Sequence, residues 1–216
     1  MMEKFDTSDL QVLLKVARVN SGKFLDTMIG YYNKIFQISS AETTTIYMDI
    51  GDKKRTKGDF DGAIRAYKKV LKADPNNVDT LLKLGKTYMD IGLPNDAIET
   101  LRKFVVLDTT SAEAYYILGS ANFMLDEKQA AIDALERAIA LNTGYADAYY
   151  KLGLVYDSMA EHDKAIEAYE KTISIKPGFI RAYQSIGLAY EGKGLRDEAV
   201  KYFKKALEKE EKKAKY

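Results

Sequence analysis

Apolar and small residues recur along most of the chain with a spacing of 34 residues. One row is glycine throughout: Gly51, Gly85, Gly119, Gly153 and Gly187. A second row is alanine: Ala63, Ala97, Ala131, Ala165 and Ala199. Two further rows are large: Tyr47, Leu81, Tyr115, Tyr149 and Tyr183, and then Tyr67, Leu101, Leu135, Tyr169 and Phe203. A period of this length is typical of stacked helix–turn–helix units, so the rows predict an all-α repeat protein.

The glycine row indicates close packing between helices. Glycine inside a helix costs about 1 kcal/mol relative to alanine, and here that cost recurs at one place in every unit. A missing side chain lets a neighbouring helix axis come near, and the large rows fill the space on either side. A single unit cannot bury its apolar stripe alone, so the units are predicted to stack.

The repeat frame predicts five helix pairs between residues 44 and 213, each with a helix A and a helix B. The residue that ends helix A favours a left-handed backbone, and this row reads Gly58, Gly92, Asp126, Ala160 and Gly194. Glycine adopts that conformation freely and aspartate tolerates it, whereas Ala160 fits it poorly. The segment 37–44 before the first pair has little periodicity and is interpreted as a connection.

Residues 1–43 lie outside the clear period and predict two helices, about 8–19 and 23–37. The second carries an apolar stripe, interpreted as a self-assembly element: Phe24, Leu25, Met28, Ile29, Tyr32 and Phe36. Ala17 stands where the glycine row would fall, so the pair is also readable as a degenerate repeat. Three roles stay open: a cap on the first repeat, docking into the groove of another copy, or lying on a membrane. The polar face holds only Lys23 and Lys34, which disfavours the membrane.

A joint is predicted near residues 104–112, between a block of two repeats at 44–111 and a block of three at 112–216. A second small-residue row carries Phe104, which is too large for a close helix approach, and Thr109 stands where the first and fourth units have Pro75 and Pro177. Local repacking without motion is the alternative. The charged end of the chain, EKEEKKAKY, is interpreted as a solvated cap on the stack.

Composition excludes several classes of function. The 216 residues include 33 basic and 32 acidic ones, well mixed, which disfavours nucleic-acid binding. The absence of cysteine excludes disulfides, thiol catalysis and cysteine-based zinc sites. The first residues have no apolar run typical of a signal peptide, and no stretch is long and apolar enough to span a bilayer. We therefore expect a cytoplasmic protein.

Nothing in the sequence indicates an enzyme, a metal site or a cofactor. The single histidine, His162, is predicted to lie solvated in a turn beside Glu161 and Asp163. It has no second histidine or cysteine with which to share a metal. The run Gly192-Lys193-Gly194 lacks the spacing and the preceding strand of a phosphate loop, so it is interpreted as a helix-end turn.

Two stretches, LKLGKTYMDIGLPNDAIETL and YKLGLVYDSMAEHDKAIEAYEKTISIKP, closely resemble the tetratricopeptide repeat. The resemblance covers about 44–213. It implies an α-solenoid, a right-handed superhelix of antiparallel helix pairs whose A helices line a concave face. Asn122 departs from the pattern, because the motif has an aromatic residue there.

By the geometry of that family, four places on each helix A point into the concave groove. In this chain they give Leu82, Lys86, Met89, Tyr116, Ser120, Phe123, Tyr150, Leu154, Asp157, Gln184 and Leu188. The middle of this set is apolar and aromatic, which suits an amphipathic helix or an extended apolar peptide. The Lys/Asn clamp for chaperone C-terminal carboxylates is missing from these places, so that ligand class is excluded.

The whole-chain layout consists of a short helical N-terminal segment, five repeats and the closing stretch AYEGKGLRDEAVKYFKKALEKEEKK, and the first repeat opens with YMDIGDKKRTKGDFDGAI. In these features the chain also resembles the magnetosome-associated branch of the tetratricopeptide proteins. That resemblance implies a cytoplasmic scaffold peripheral to the magnetosome membrane. Its expected partners are other copies of itself, through the N-terminal segment, and magnetosome membrane-associated proteins. The alternative is a monomeric peptide-binding adaptor or co-chaperone, with the N-terminal helices serving as a cap.

Overall fold

The structure, a computed structural model, describes residues 39–214, and these residues form ten α-helices and no strand. The helices are α1 (Ser40–Thr56), α2 (Phe60–Ala73), α3 (Val78–Asp90), α4 (Pro94–Leu107), α5 (Ala112–Met124), α6 (Lys128–Leu141), α7 (Ala146–Ser158), α8 (His162–Ile175), α9 (Ile180–Gly192) and α10 (Arg196–Ala214). Short turns join them in the order that the repeat frame predicts. The prediction of an all-α solenoid of helix pairs is confirmed.

The chain divides into two compact units that meet between Gly92 and Leu93. In unit 1, α1 packs against α2 and α2 against α3. In unit 2, each helix from α4 to α10 packs against the next along the chain. The boundary falls in the turn within the second repeat, before the predicted joint at 104–112. Phe104 is buried in α4, and the hinge stays a prediction.

The first helix begins earlier than the sequence pattern indicates. The segment 37–44 was interpreted as a connection, which is wrong from Ser40 onward, since α1 starts there. The cause is a capping box: the Glu42 backbone N–H donates to Ser39 Oγ at 3.2 Å, and the Ser39 backbone N–H donates to Glu42 Oε2 at 2.8 Å. These two bonds satisfy amide groups that the first turn leaves without partners.

The glycine row marks the closest approach between the helices of a pair. A Cβ atom on Gly51 would lie 2.4 Å from the ring of Tyr67, and one on Gly153 would lie 2.4 Å from the ring of Tyr169. Gly187 has the same relation to Phe203, at 2.5 Å. No side chain fits in those gaps without displacing a ring. The large residue of helix B thus occupies the space that the glycine of helix A leaves open.

Asn122 is buried where the second, fourth and fifth repeats carry Tyr88, Tyr156 and Tyr190 and the first repeat carries Lys54. Its Nδ2 donates to the Ala130 carbonyl oxygen at 3.4 Å, and its Oδ1 makes no hydrogen bond. The third repeat therefore buries a polar side chain with one hydrogen-bond acceptor unsatisfied, which lowers the stability of the fold.

The five residues that end helix A of each repeat have the left-handed backbone that the sequence predicts. The φ angles are 76° at Gly58, 72° at Gly92, 60° at Asp126, 57° at Ala160 and 76° at Gly194. A left-handed backbone brings the Cβ atom of Ala160 too close to a carbonyl oxygen, whereas glycine avoids that contact.

We expect Ala160→Gly to raise the free energy of unfolding by about 0.5–1 kcal/mol, because relief of the left-handed strain exceeds the entropy that glycine adds to the unfolded chain. Urea denaturation followed by circular dichroism measures it. Ala140→Gly, at an exposed position in α6, is the matched control and should lower stability, since its backbone is helical. An unchanged or lower unfolding midpoint for Ala160→Gly would contradict the assignment.

Candidate functional site

The predicted groove residues of unit 1 are all half-buried on α3. They are Leu82, Lys86 and Met89. Beside them, Asp52 of α1 accepts hydrogen bonds from the Tyr67 hydroxyl at 2.7 Å and from Lys83 Nζ at 2.9 Å. Burial raises the pKa of Tyr67, and the bond to the Asp52 carboxylate raises it further, so the hydroxyl stays protonated and keeps donating. This network ties α1, α2 and α3 together.

In unit 2, the predicted tyrosines belong to two aromatic pairs. The Tyr116 ring lies 5.1 Å from the Tyr145 ring, and the Tyr150 ring lies 4.8 Å from the Phe179 ring, both measured between centroids. All four rings are half-buried, so each keeps part of its surface in solvent. We call this set of four residues the aromatic surface.

Tyr145 and Phe179 are not among the predicted groove residues, although the repeat frame carries a signal for both. They precede α7 and α9 at the N-cap place, where Asn77 and Ser111 precede α3 and α5. The Asn77 and Ser111 side chains accept hydrogen bonds from Thr80 N and Ala114 N. Tyr145 and Phe179 make no such bond. Loss of a polar N-cap costs about 1 kcal/mol, so the two rings are kept at a cost in stability.

Burial dominates the electrostatics of the aromatic surface. It raises the pKa of Tyr116, with a further contribution from the charge of Asp147. Burial also raises the pKa of Tyr145 to about 12, helped by the Tyr116 hydroxyl and by Glu113. Both phenols are therefore neutral at pH 7 and offer an O–H donor beside an apolar ring face.

Lys151, in the middle of α7, is a second residue that the sequence analysis missed. It is half-buried, and burial lowers the pKa of its amine. Lys83 occupies the same repeat place 68 residues earlier and pairs with Asp52 at 2.9 Å, but the counterpart of Asp52 in the third repeat is Ser120. Lys151 makes no ion pair or hydrogen bond with another described residue. Lys151 is therefore a cationic donor without a partner among the described residues, and a second cation, Lys176 Nζ, lies 5.1 Å from the centroid of the Phe179 ring.

The other predicted residues of unit 2 differ in how accessible they are. Leu188 on α9 has 57% of its surface exposed, whereas Ser120 is buried. Phe123 packs partly buried against the core around Leu135, and Leu154 packs against the core around Ile166. Gln184 Nε2 donates to Glu210 Oε1 on α10 at 3.2 Å.

Asp157 belongs to a hydrogen-bonded cluster, and the prediction of a solvated turn histidine is wrong. His162 begins α8, and its Nδ1 lies 3.0 Å from Asp157 Oδ1. The Tyr169 hydroxyl donates to Asp157 Oδ2 at 3.3 Å. The His162 ring also fills the space beside Gly192, where a Cβ atom would lie 2.8 Å from Nε2. The turn between α7 and α8 brings these residues together, so the cluster cannot be recognised from the neighbours of His162 in the sequence.

The predicted self-assembly stripe in residues 23–37 lies outside the described residues. Within residues 39–214, no group of three acidic or histidine side chains is placed to hold a metal ion. None of the helices described is long and apolar enough to cross a bilayer.

The arrangement in unit 2 suits protein recognition. Aromatic faces bury large apolar areas and their hydroxyl groups supply directional hydrogen bonds, a combination that is enriched at protein interfaces. Lys151 can pair with a carboxylate on a partner. No nucleophile activated by a neighbouring base occurs among the described residues of this surface.

Four family models of the tetratricopeptide repeat match the chain, over residues 51–92, 82–146, 146–179 and 180–212. The chain belongs to the tetratricopeptide repeat family, whose members are protein-interaction modules. No curated protein sequence matches it.

Among solved structures, the chain is similar to those of the protein MamA. A crystal structure of MamA is 95% identical over 82% of this chain and 96% of its own, with a TM-score of 0.77. A second is 96% identical over 78% of this chain and 99% of its own, with a TM-score of 0.76. MamA from Desulfovibrio magneticus RS-1, from residue 41 to the end, is 26% identical over 79% of this chain and 96% of its own, with a TM-score of 0.76.

Proposed function

We propose that the protein is a non-enzymatic scaffold that binds other proteins through the aromatic surface of unit 2 and assembles with further copies of itself. The observation that carries the proposal is the pair of aromatic residues, Tyr145 and Phe179, at places where polar N-caps stabilise other helices. Each ring extends the surface that Tyr116 or Tyr150 begins. A partly exposed aromatic set, with Lys151 on α7 and with Lys176 over the Phe179 ring, suits an amphipathic helix or an extended apolar peptide that carries an acidic residue.

The near identity to MamA supports a location peripheral to the magnetosome membrane, on its cytoplasmic side. The partners proposed there are magnetosome membrane-associated proteins and other copies of the chain. The predicted groove residues of unit 1, Leu82, Lys86 and Met89, offer a second and smaller contact surface. Fractionation of cells tests the location: the protein should sediment with mineral-bearing vesicles and be released by high salt or high pH.

Two asparagine substitutions test the aromatic surface without weakening the helices. In Tyr145→Asn/Phe179→Asn each ring is removed and a side chain of the type that caps α3 at Asn77 is supplied. A partner that covers this surface buries both rings, so the double variant should lose about 1.4 kcal/mol of binding free energy and bind salt-stripped magnetosome vesicles about tenfold more weakly. A vesicle sedimentation titration measures the affinity.

The control for that experiment is Val106→Asn, which makes the same kind of exchange at an apolar residue of α4 that is 80% exposed. It should bind like the unchanged chain. Circular dichroism should show full helicity for the double variant. Undiminished vesicle binding by a folded double variant would contradict the assignment of the surface.

Light scattering separates the scaffold from the alternative, a monomeric peptide-binding adaptor. We expect the full chain to show a mass several times 24.3 kDa, and a chain lacking residues 1–38 to show the monomer mass. The cut before Ser39 keeps the capping box of α1. A monodisperse monomer for both chains would contradict self-assembly and favour the adaptor.

A further inference from the structure

The last helix, α10, leaves uncovered an apolar row that is buried in the earlier repeats. The row reads Ile64, Ile98, Ile132, Ile166 and Val200. The four isoleucines are 6–9% exposed, whereas Val200 is 49% exposed. On the same helix, Phe203 is half-buried and Leu207 is 59% exposed. Residues 200, 203 and 207 have the spacing i, i+3 and i+7 and lie on one side of α10, and we call them the C-terminal face.

In the earlier repeats, a helix covers the equivalent of this face. Ile132 packs in one core cluster with Leu152 of α7, and Ile166 packs in another with Ile186 of α9. The row is therefore used elsewhere in the chain for contacts between helices. On α10 it stays partly in solvent, so a further helix can pack there.

The two ends of the C-terminal face carry charges of opposite sign. Arg196 stands one turn before the face, and Glu210 and Glu211 stand one turn after it. All three are exposed. The side chains of Arg196 and Glu211 make no ion pair or hydrogen bond with another described residue. Glu210 accepts one hydrogen bond, from Gln184 Nε2 at 3.2 Å. The face is thus basic at its start, apolar in the middle and acidic at its end.

This order of charges makes the face complementary to a copy of itself in the antiparallel orientation. Arg196 lies four residues before Val200, and Glu211 lies four residues after Leu207. The register that sets Val200 of one copy opposite Leu207 of the other therefore also sets Arg196 opposite Glu211. In a twofold pair each of these contacts occurs twice, and the two Phe203 residues lie near the axis. A parallel pair would instead set like charges against each other at both ends.

We propose that the C-terminal face binds the same face of a second copy, in an antiparallel pair of α10 helices with twofold symmetry. Both halves of this contact lie within residues 196–211. Three apolar side chains from each copy bury far less than the roughly 800 Å² per partner of a stable complex, so the contact is weak by itself. It rests on the proposed self-assembly, which holds copies close enough together for a weak contact to form.

Single cysteines test the register, because the chain contains none of its own. One full-length chain carries Val200→Cys, and a second, distinguished by a size tag, carries Leu207→Cys. The two are mixed at a concentration where light scattering shows assembly, and are then oxidised. The mixed product should exceed both like-with-like products by about tenfold. In this register the two copies of residue 207 are about 10 Å apart along the helix axis, whereas a disulfide requires Cα atoms within about 7 Å.

The baseline for this experiment is Lys201→Cys in place of Leu207→Cys. Lys201 is also exposed on α10 but lies on another side of the helix, so its yield reports random collision.

An exchange of charges tests the ends of the contact. Arg196→Glu in both chains should lower the yield of the mixed product about threefold, because it opposes like charges at both ends of the pair. Adding Glu210→Lys and Glu211→Lys should restore the yield. A loss through misfolding would not be restored in this way.

Three results would overturn the proposal. A dominant 207–207 product would show a parallel pair, and a mixed yield no greater than the Lys201→Cys baseline would show no pair. Baseline crosslinking in which magnetosome vesicles shield the Leu207→Cys thiol from alkylation would assign the face to a vesicle partner. Baseline crosslinking of a chain that still assembles overturns the contact alone, whereas a monomer mass for the unchanged chain overturns the proposed self-assembly as well.

Discussion

The fold depends on the contact between a glycine in helix A and a large residue in helix B of the same pair. The Gly153 backbone faces the Tyr169 ring so closely that a Cβ atom there would lie 2.4 Å from it. This contact fixes the distance between the two helices. That distance in turn determines which side chains contact the next repeat; Tyr169, for example, packs in one core cluster with Ile186 of the following repeat. Gly51 with Tyr67 and Gly187 with Phe203 repeat the arrangement.

The same contact explains why so much of the fold follows from the sequence. The two partners of this contact, a glycine and a large residue, lie at a fixed distance along the chain, so the contact can be recognised from local sequence alone. The spacing of Gly51, Tyr67 and their counterparts therefore identifies the helices, the turns and the core. The start of α1 was predicted too late in the chain, although the sequence contains Ser39 and Glu42, the two residues of its capping box. The cluster of Asp157, His162 and Tyr169 was not predicted, because its hydrogen bonds depend on how the turn between α7 and α8 orients the side chains.

The candidate site was predicted only in part, for a physical reason. Family geometry identifies Tyr116 and Tyr150 from their places on helix A. It does not identify Tyr145 and Phe179, which lie outside helix A and contribute by stacking on those rings. Comparing the N-cap row would have found them, because Asn77 and Ser111 bind backbone amides there. At Tyr145 and Phe179 the chain lacks two N-cap hydrogen bonds and presents two aromatic rings instead. Residues that lower the stability of the fold in this way are expected at binding sites.

One substitution tests the central contact most directly. Gly153→Ala improves helix propensity by about 1 kcal/mol, so an exposed helical glycine would gain stability from it. At this position we predict instead that the free energy of unfolding falls by about 1–3 kcal/mol, because the new methyl group displaces the Tyr169 ring from a packed core. Urea denaturation of the variant and of the unchanged chain measures the difference. An unfolding free energy equal to or above that of the unchanged chain would contradict the account.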